Sequence, residues 1–317
     1  MILVLTSVND RTADRVVAEL SRRGEAVHRF DVADFPRHVT VNAELYGVGG
    51  WRGWVKTEGC QIALSQVKSI YYRRPTSFIF PDDVVDSDLA FATAEARRGF
   101  GGLFFSLATR WVNHPSRVAD AEFKPAQLHM AASCGLTTPR TLLTSDPDQV
   151  RIFCQAVENG VVYKPLSAAN IVSGDEVQLV FTRRVSAADI DDADLSLTMN
   201  LFQEWVPKRY DARVTVVGQR LFGVAIHAAS SDAYVDWRTD YASLSYEPID
   251  LPVRVCNGIL AYMKRFDLLY GAFDFAVTDD RWYFLECNAN GQFGWLEAET
   301  GLPITAAMAH LLAGVTV

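Results

Sequence analysis

Several familiar catalytic signatures are missing from this chain. There is no GxxxxGK[ST] phosphate loop, no HExxH zinc helix and no GxSxG nucleophile elbow. The glycines at 47–50 and 99–102 do not form a dinucleotide fingerprint after a strand, and the six histidines show no metal-ligand spacing. Cysteine is scarce: Cys60, Cys134, Cys154, Cys256 and Cys287 are dispersed, odd in number and without a CxxC pair. That pattern fits reduced thiols better than a disulfide framework. No apolar run approaches the length needed to span a bilayer. Positive charge is in deficit, with 30 Lys and Arg against 38 Asp and Glu, a formal charge of −8. A general nucleic-acid binder is normally basic, so that class is disfavoured while a local basic pocket is not. Repeats and low-complexity tracts are absent as well.

What remains is an ordinary globular composition, 49% hydrophobic and 21% charged over 317 residues, long enough for two or three packed subdomains. Residues 1–7 read as a buried strand rather than a signal peptide, since no basic segment precedes them and Asp10 opens a helix at once. A cytoplasmic location is expected. The helix spans 10–24 and a second strand 26–31, a βαβ opening. A strand-rich meander over 39–66 follows, then a strand at 69–74. Residues 83–109 read as a long helix that Gly99, Gly101 and Gly102 should bend or loosen.

Near 111–115 the pattern changes. Pro125 sits at a helix start and Gly135 just past its end. A strand over 139–143, a helix over 147–158 and a buried strand over 161–166 come next. A strand over 177–185 follows a turn at Ser173-Gly174-Asp175. From about residue 200 strands dominate until a last helix over 304–313. The expected division is 1–115, 116–198 and 199–317.

The sharpest chemical signal is a hairpin: Phe273-Asp274-Phe275-Ala276-Val277-Thr278, the polar turn Asp279-Asp280-Arg281, then Trp282-Tyr283-Phe284-Leu285-Glu286-Cys287-Asn288. Centring the turn on Asp280 sets Asp274 opposite Glu286 and Ala272 opposite Asn288. Alternation then projects Asn288 from the Glu286 face and leaves Phe273, Phe275, Leu285 and Cys287 on the other. Two carboxylates and an amide oxygen on one face would repel without a cation, and hard oxygen donors suit magnesium. The rival reading is a solvated polar face, against which the aromatic flanks argue. Lys164, inside an apolar strand, is expected to point at an anion, because lysine is rarely buried without a partner. Lys124 precedes a helix and alone would be a surface lysine. Asp211 and Arg213 share a strand face, and arginine suits bidentate capture of carboxylate or phosphate; a cross-strand salt bridge explains each equally well.

These runs resemble the ATP-grasp superfamily, and within it the ribosomal peptide maturases of the microviridin or graspetide type. The resemblance rests on Tyr71-Tyr72-Arg73-Arg74-Pro75, Asn113-His114-Pro115, Lys124-Pro125-Ala126-Gln127-Leu128, the run from Gly135 to Leu142, Gln203-Glu204-Trp205-Val206 and Asp236-Trp237-Arg238. It implies an α+β ATP-grasp fold preceded by an α/β pre-ATP-grasp domain. It further implies ATP and Mg2+ as cofactors and a ribosomally made precursor peptide, leader plus acidic Ser/Thr-containing core, as substrate. Nucleic-acid and membrane partners are not implied, and a homodimer is compatible.

By the same resemblance Lys124 and Lys164 contact ATP, Gln203, Glu204 and Val206 form the adenine hinge, and Asp211 lies on the nucleotide side. Asp274, Glu286 and Asn288 hold magnesium. Arg213 stabilises the acyl phosphate and Arg238 assists. One departure stands out: where many relatives have a glycine-rich phosphate cover, this chain reads Ser167-Ala168-Ala169-Asn170-Ile171. No base identifies itself; His227, Asp236 and Glu297 are the candidates. Two other readings stay open, a ligase that adds a free amino acid and a non-catalytic ATP-binding module.

Overall fold

The protein is described by a computed structural model covering residues 1–314 except 168, 169, 174 and 175. The Ala168-Ala169 part of the departing loop and the Gly174-Asp175 part of the expected turn therefore lie outside the described residues.

The chain opens with β1 (Ile2–Leu5), α1 (Arg11–Arg22) and β2 (Val27–Phe30). Asp10 caps α1 by accepting from the amides of Thr12 and Ala13, and Ala13, Val16 and Leu20 bury one stripe of it. The expected meander is β3 (Thr40–Glu44), β4 (Arg52–Thr57) and β5 (Cys60–Ala63), an antiparallel three-stranded sheet. Next come β6 (Ser69–Tyr72), α2 (Asp86–Phe105) and β7 (Arg110–Val112). Strands order β2-β1-β6-β7, all parallel. Helix α2 runs unbroken through its three glycines. Burial of Phe100, Leu103 and Phe104 anchors that stretch, so packing overrides the propensity cost.

The middle of the chain holds α3 (Pro115–Ala121), α4 (Lys124–Ser133), β8 (Thr141–Thr144), α5 (Pro147–Ala156) and β9 (Val161–Lys164). The strand expected over 177–185 is instead two. A hairpin of β10 (Asn170–Ser173) and β11 (Glu176–Leu179) stands apart, and β12 (Arg183–Val185) pairs with β9. Between them the Thr182 amide donates to Asp236, which draws the backbone out of the ladder. After α6 (Asp192–Ser196), β13 (Asn200–Glu204) completes the sheet β12-β9-β13-β8. The change of sheet thus falls after Glu204 rather than at 198.

The last region is one antiparallel sheet, β16-β15-β14-β17-β18. Its strands are β14 (Tyr210–Val217), β15 (Arg220–Ala228), β16 (Leu244–Ile249), β17 (Tyr270–Val277) and β18 (Trp282–Asn288). The helices are α7 (Ser231–Val235), α8 (Val253–Phe266), α9 (Gly294–Thr300) and α10 (Ile304–Ala313). The sequence reading passed over α8, although Val255, Ile259, Tyr262 and Met263 recur at helical spacing and all are buried. These side chains, with Phe273, Phe275 and Phe284, form the core beneath the sheet. Helix α10 closes the N-terminal core: Ile304, Met308 and Leu311 pack with Ile2, Val4, Val16 and Leu20.

Candidate active site

The β17–β18 hairpin pairs Ala272 with Asn288, Phe273 with Cys287 and Asp274 with Glu286, as alternation predicts. Beyond Asp274 the register slips, so Phe275 faces Phe284 and Val277 faces Trp282, and the loop is the four residues Thr278–Arg281 rather than the three expected. Leu285 is therefore the extra residue of a bulge. It was expected on the apolar face; it lines the cleft beside Glu286 instead, and Phe284 takes the core position against Phe273 and Phe275. A bulge re-aims side chains in this way.

Asp274 and Glu286 are almost fully buried. Arg213 is the direct cross-strand neighbour of Asp274, and its Nη1 donates to both carboxylate oxygens at 2.8 and 2.7 Å. Arg238 bridges the acids: its Nη2 donates to Asp274 Oδ2 at 3.1 Å and to Glu286 Oε1. Lys124 Nζ lies 3.4 Å from Glu286 Oε2 and donates to the Pro165 carbonyl at 2.6 Å. Burial pushes the Glu286 carboxyl up, but Arg238, Lys124, Lys164 and Arg213 together outweigh it and hold the group well below the usual carboxylate range. The repulsion that the sequence argument assigned to a metal is thus answered here by guanidinium and ammonium groups. Arg213 Nε is buried with no partner among the described residues.

Across the cleft stands the second cluster. Lys164 leaves the end of β9, and among the described residues its one acceptor is Gln203 Oε1 at 3.4 Å. Burial lowers its pKa to about 8, the mark of a cation held short of counter-charge. Gln203 is fixed in turn by donating to Thr141 Oγ1 at 3.0 Å. Glu204, Trp205 and Val206 leave β13 as a connecting segment along the cleft, joining its two walls. Asp211 also lines it, ion-paired with Lys208 at 2.7 Å; burial pushes this acid up to about 6 against the pull of that lysine.

Of the three candidate bases, only Asp236 is here, and its carboxylate accepts from the Thr182 amide and from Arg238. His227 sits on β15 against Tyr210 and Glu247, away from the cleft. Glu297 is spent on the start of α10, accepting from the Thr305 amide at 2.7 Å. Both drop out as bases for that reason. The sequence reading also missed Lys208, three residues before Asp211 and cradled by the Trp205 and Tyr234 rings at 5.5 and 5.7 Å. Its i,i+3 spacing to an acid was the available signal. The Tyr71–Pro75 and Asn113 runs lie outside the cleft but clamp the loop after Asn288, as described below.

The oxygen donors fit magnesium. Asn288 Nδ2 lies 3.5 Å from Asp274 Oδ2 and 3.4 Å from Glu286 Oε1, and rotating the amide brings Oδ1 into that position. One amide and two carboxylates converge, while no group of three or more His, Cys, Asp or Glu residues suited to a metal occurs among the described residues. Magnesium characteristically takes only one or two carboxylates and completes its shell with phosphate and water.

A split α+β clamp around a cleft lined by Lys164, Lys208, Arg238 and the acids Asp274 and Glu286 has the form of an ATP-grasp ligase. Residues 1–119 match the family model described as the MvdD pre-ATP grasp domain. The whole chain is similar to macrocyclase MdnC from Microcystis aeruginosa MRC, solved with its precursor peptide MdnA: 32% identity, 99% of each chain, TM-score 0.84. It is also similar to a RiPP-associated ATP-grasp ligase from Chryseobacterium gregarium, solved with ADP and a leader and core peptide: 26% identity, 99% of this chain and 96% of that one, TM-score 0.89. A third likeness is to ATP-grasp ligase PsnB complexed with a precursor variant, Mg and ADP: 25% identity, 100% and 98% coverage, TM-score 0.78. A search of curated protein sequences returned no match. The chain belongs to the ATP-grasp macrocyclases of ribosomally made peptides.

Proposed function

We propose that this enzyme activates Asp or Glu side chains of a precursor peptide as acyl phosphates and joins them to Ser or Thr hydroxyls, closing ester-linked rings. Lysine amines are the alternative nucleophile. One observation carries the reading: a partly covered lysine short of counter-charge, Lys164, faces a buried acid pair across a cleft that the 204–206 segment borders. Such a cleft is built to take a polyanion whose other end meets a cation.

Lys164 and Lys124 would hold ATP phosphates, and Gln203, Glu204 and Val206 would form the adenine edge. Asp211, tied to Lys208, would lie on the nucleotide side. Asp274, Glu286 and Asn288 would hold magnesium, which when bound neutralises phosphate charge. A peptide carboxylate oxygen attacks the γ-phosphorus and ADP leaves. Arg238, which lines the cleft, and Arg213, behind Asp274, would offset charge on the transferring group. The hydroxyl oxygen then attacks the acyl carbon, inorganic phosphate departs and the hydroxyl proton is lost. Holding both peptide groups in place supplies much of the acceleration. Residues 1–115 are assigned to leader recognition, with the two lobes that meet after Glu204 clamping ATP; a cytoplasmic location and a homodimer belong to the same reading. Among the described residues no helix is long and apolar enough to cross a membrane.

The test is to incubate enzyme, ATP, magnesium and the cognate precursor and to weigh the peptide. Loss of one water per linkage, reversed by mild methanolysis and abolished by Glu286→Gln, is expected. Methanol-resistant water loss would mean amide rings, and a gain of one amino acid the other type of ligase. Nucleotide binding without any mass change would mean a non-catalytic module.

A further inference from the structure

The loop that follows Asn288 is gripped from outside the cleft. Asn113 donates to the Ala289 and Tyr270 carbonyls, both at 2.8 Å, and accepts from the Leu269 and Tyr270 amides. Tyr270 hydroxyl donates to the Gly291 carbonyl at 2.7 Å. Gln292 Oε1 accepts from Arg73 Nη2 at 3.0 Å and from Thr12 Oγ1. Arg73 is itself immobilised by Asp10, through Nε at 2.7 Å, and buried. The loop in turn lies against the reacting groups: a Cβ added at Gly291 would meet Arg213 Nη2 at 2.7 Å and Asn288 Cβ at 3.2 Å.

We infer that Gln292 is a positioning residue through which the N-terminal domain, by Arg73 and Thr12, sets the placement of Asn288 and Arg213. The side chain of Gln292 is bonded to Thr12 and Arg73 and not to Asp274 or Glu286, so its effect passes through the 288–291 backbone. Orienting partners behind a metal ligand characteristically govern affinity and rate about 10- to 100-fold. Gln292 is better suited to carry this test than Arg73, whose removal leaves Asp10 buried and unpaired.

This inference rests on the ATP- and magnesium-binding roles proposed above, and binding measurements separate the two. ADP is titrated by calorimetry into wild type, Gln292→Ala and Gln292→Glu, in EDTA and in excess magnesium, with thermal melts as a check on folding. The glutamate keeps an acceptor for Arg73 and Thr12. In Gln292→Ala the tightening of ADP binding that magnesium produces should shrink about tenfold, while the Kd in EDTA stays within about twofold of wild type. Gln292→Glu should restore the tightening. With precursor and magnesium present, KM for ATP should rise in Gln292→Ala in step with the lost tightening, kcat should fall in the same order, and Gln292→Glu should recover both. Undiminished tightening in Gln292→Ala, an equal loss with and without magnesium, or no recovery in Gln292→Glu would each overturn the role. If Gln292→Ala does not fold, Thr12→Val removes one of the two donors and must show a smaller loss of the same kind; wild-type behaviour there overturns it too. Wild type that shows magnesium-dependent ADP binding but makes no linked peptide would sink the proposed reaction and leave the positioning role standing on the binding data.

Discussion

Two buried arginine–aspartate pairs, Arg73–Asp10 and Arg213–Asp274, share their chemistry and differ in what surrounds them. Both have short contacts, each with a distance of 2.7 Å, and neither pair's side chains are more than 6% exposed. Around Arg73–Asp10 the remaining valences are closed. Asp10 caps α1 and accepts from Thr6 Oγ1 at 2.9 Å, and Arg73 reaches Tyr71 and Gln292. Around Arg213–Asp274 they are left open: Arg213 Nε has no partner among the described residues, and Asp274 is shared with Arg238 beside the cleft. A saturated ion pair is a joint; an unsaturated one keeps capacity for a ligand. Buried polar groups are normally satisfied, so an exception calls for a functional explanation.

The largest expected effect is on stability at the closed pair. Arg73→Met should cost about 3–5 kcal/mol, because Asp10 is left buried without its cation, read as the shift in urea midpoint. Arg213→Met should cost clearly less, since Arg238 still faces Asp274, while kcat falls about 10²–10³-fold, as when one donor to a developing oxyanion is removed. Equal destabilisation by the two changes, or an Arg213→Met enzyme of normal kcat, would erase the distinction between them.

The smallest effect sharpens the comparison with a group that has no acidic partner within bonding distance. Lys164→Met should weaken ADP binding by about 1.5–3 kcal/mol, the worth of a charge-assisted hydrogen bond, and leave the unliganded protein at least as stable. The pH dependence carries opposite signs for the two properties. The folded-state pKa is lowered to about 8, against about 10.4 unfolded. Between those values the unfolded chain holds a proton that the folded one has released, so this lysine's contribution to stability rises with pH. ADP affinity in EDTA should instead fall as pH climbs through 8. Calorimetry from pH 7 to 9.5 on wild type and Lys164→Met, about 2.5 units in all, would settle it: a lysine-independent pH slope refutes the assignment.

Much of this was legible in the sequence because it is local. Centring a three-residue turn on Asp280 named the pairs Asp274–Glu286 and Ala272–Asn288, but the loop is one residue longer and the bulge at Leu285 is what brings those pairs together. Lys164 stood out as a charge in an apolar strand. Helix α10 was bounded correctly. Helix α8 was also written there, in a stripe that the reading passed over.

The rest depends on contacts between residues far apart in the chain. The bulge at Leu285 follows from Phe284 entering the aromatic core while its amide donates to the Thr137 carbonyl at 2.7 Å, more than a hundred positions away. The choice of Arg238 as the bridge between Asp274 and Glu286, and the loss of His227 and Glu297 as bases, required knowing which strands and helices meet. The contrast between the two arginine–aspartate pairs is of the same kind. Residue type and spacing determine what a side chain can do, because propensity and alternation act over a few positions. Whether its hydrogen bonds are used up or left for a ligand is decided only when distant segments pack around it.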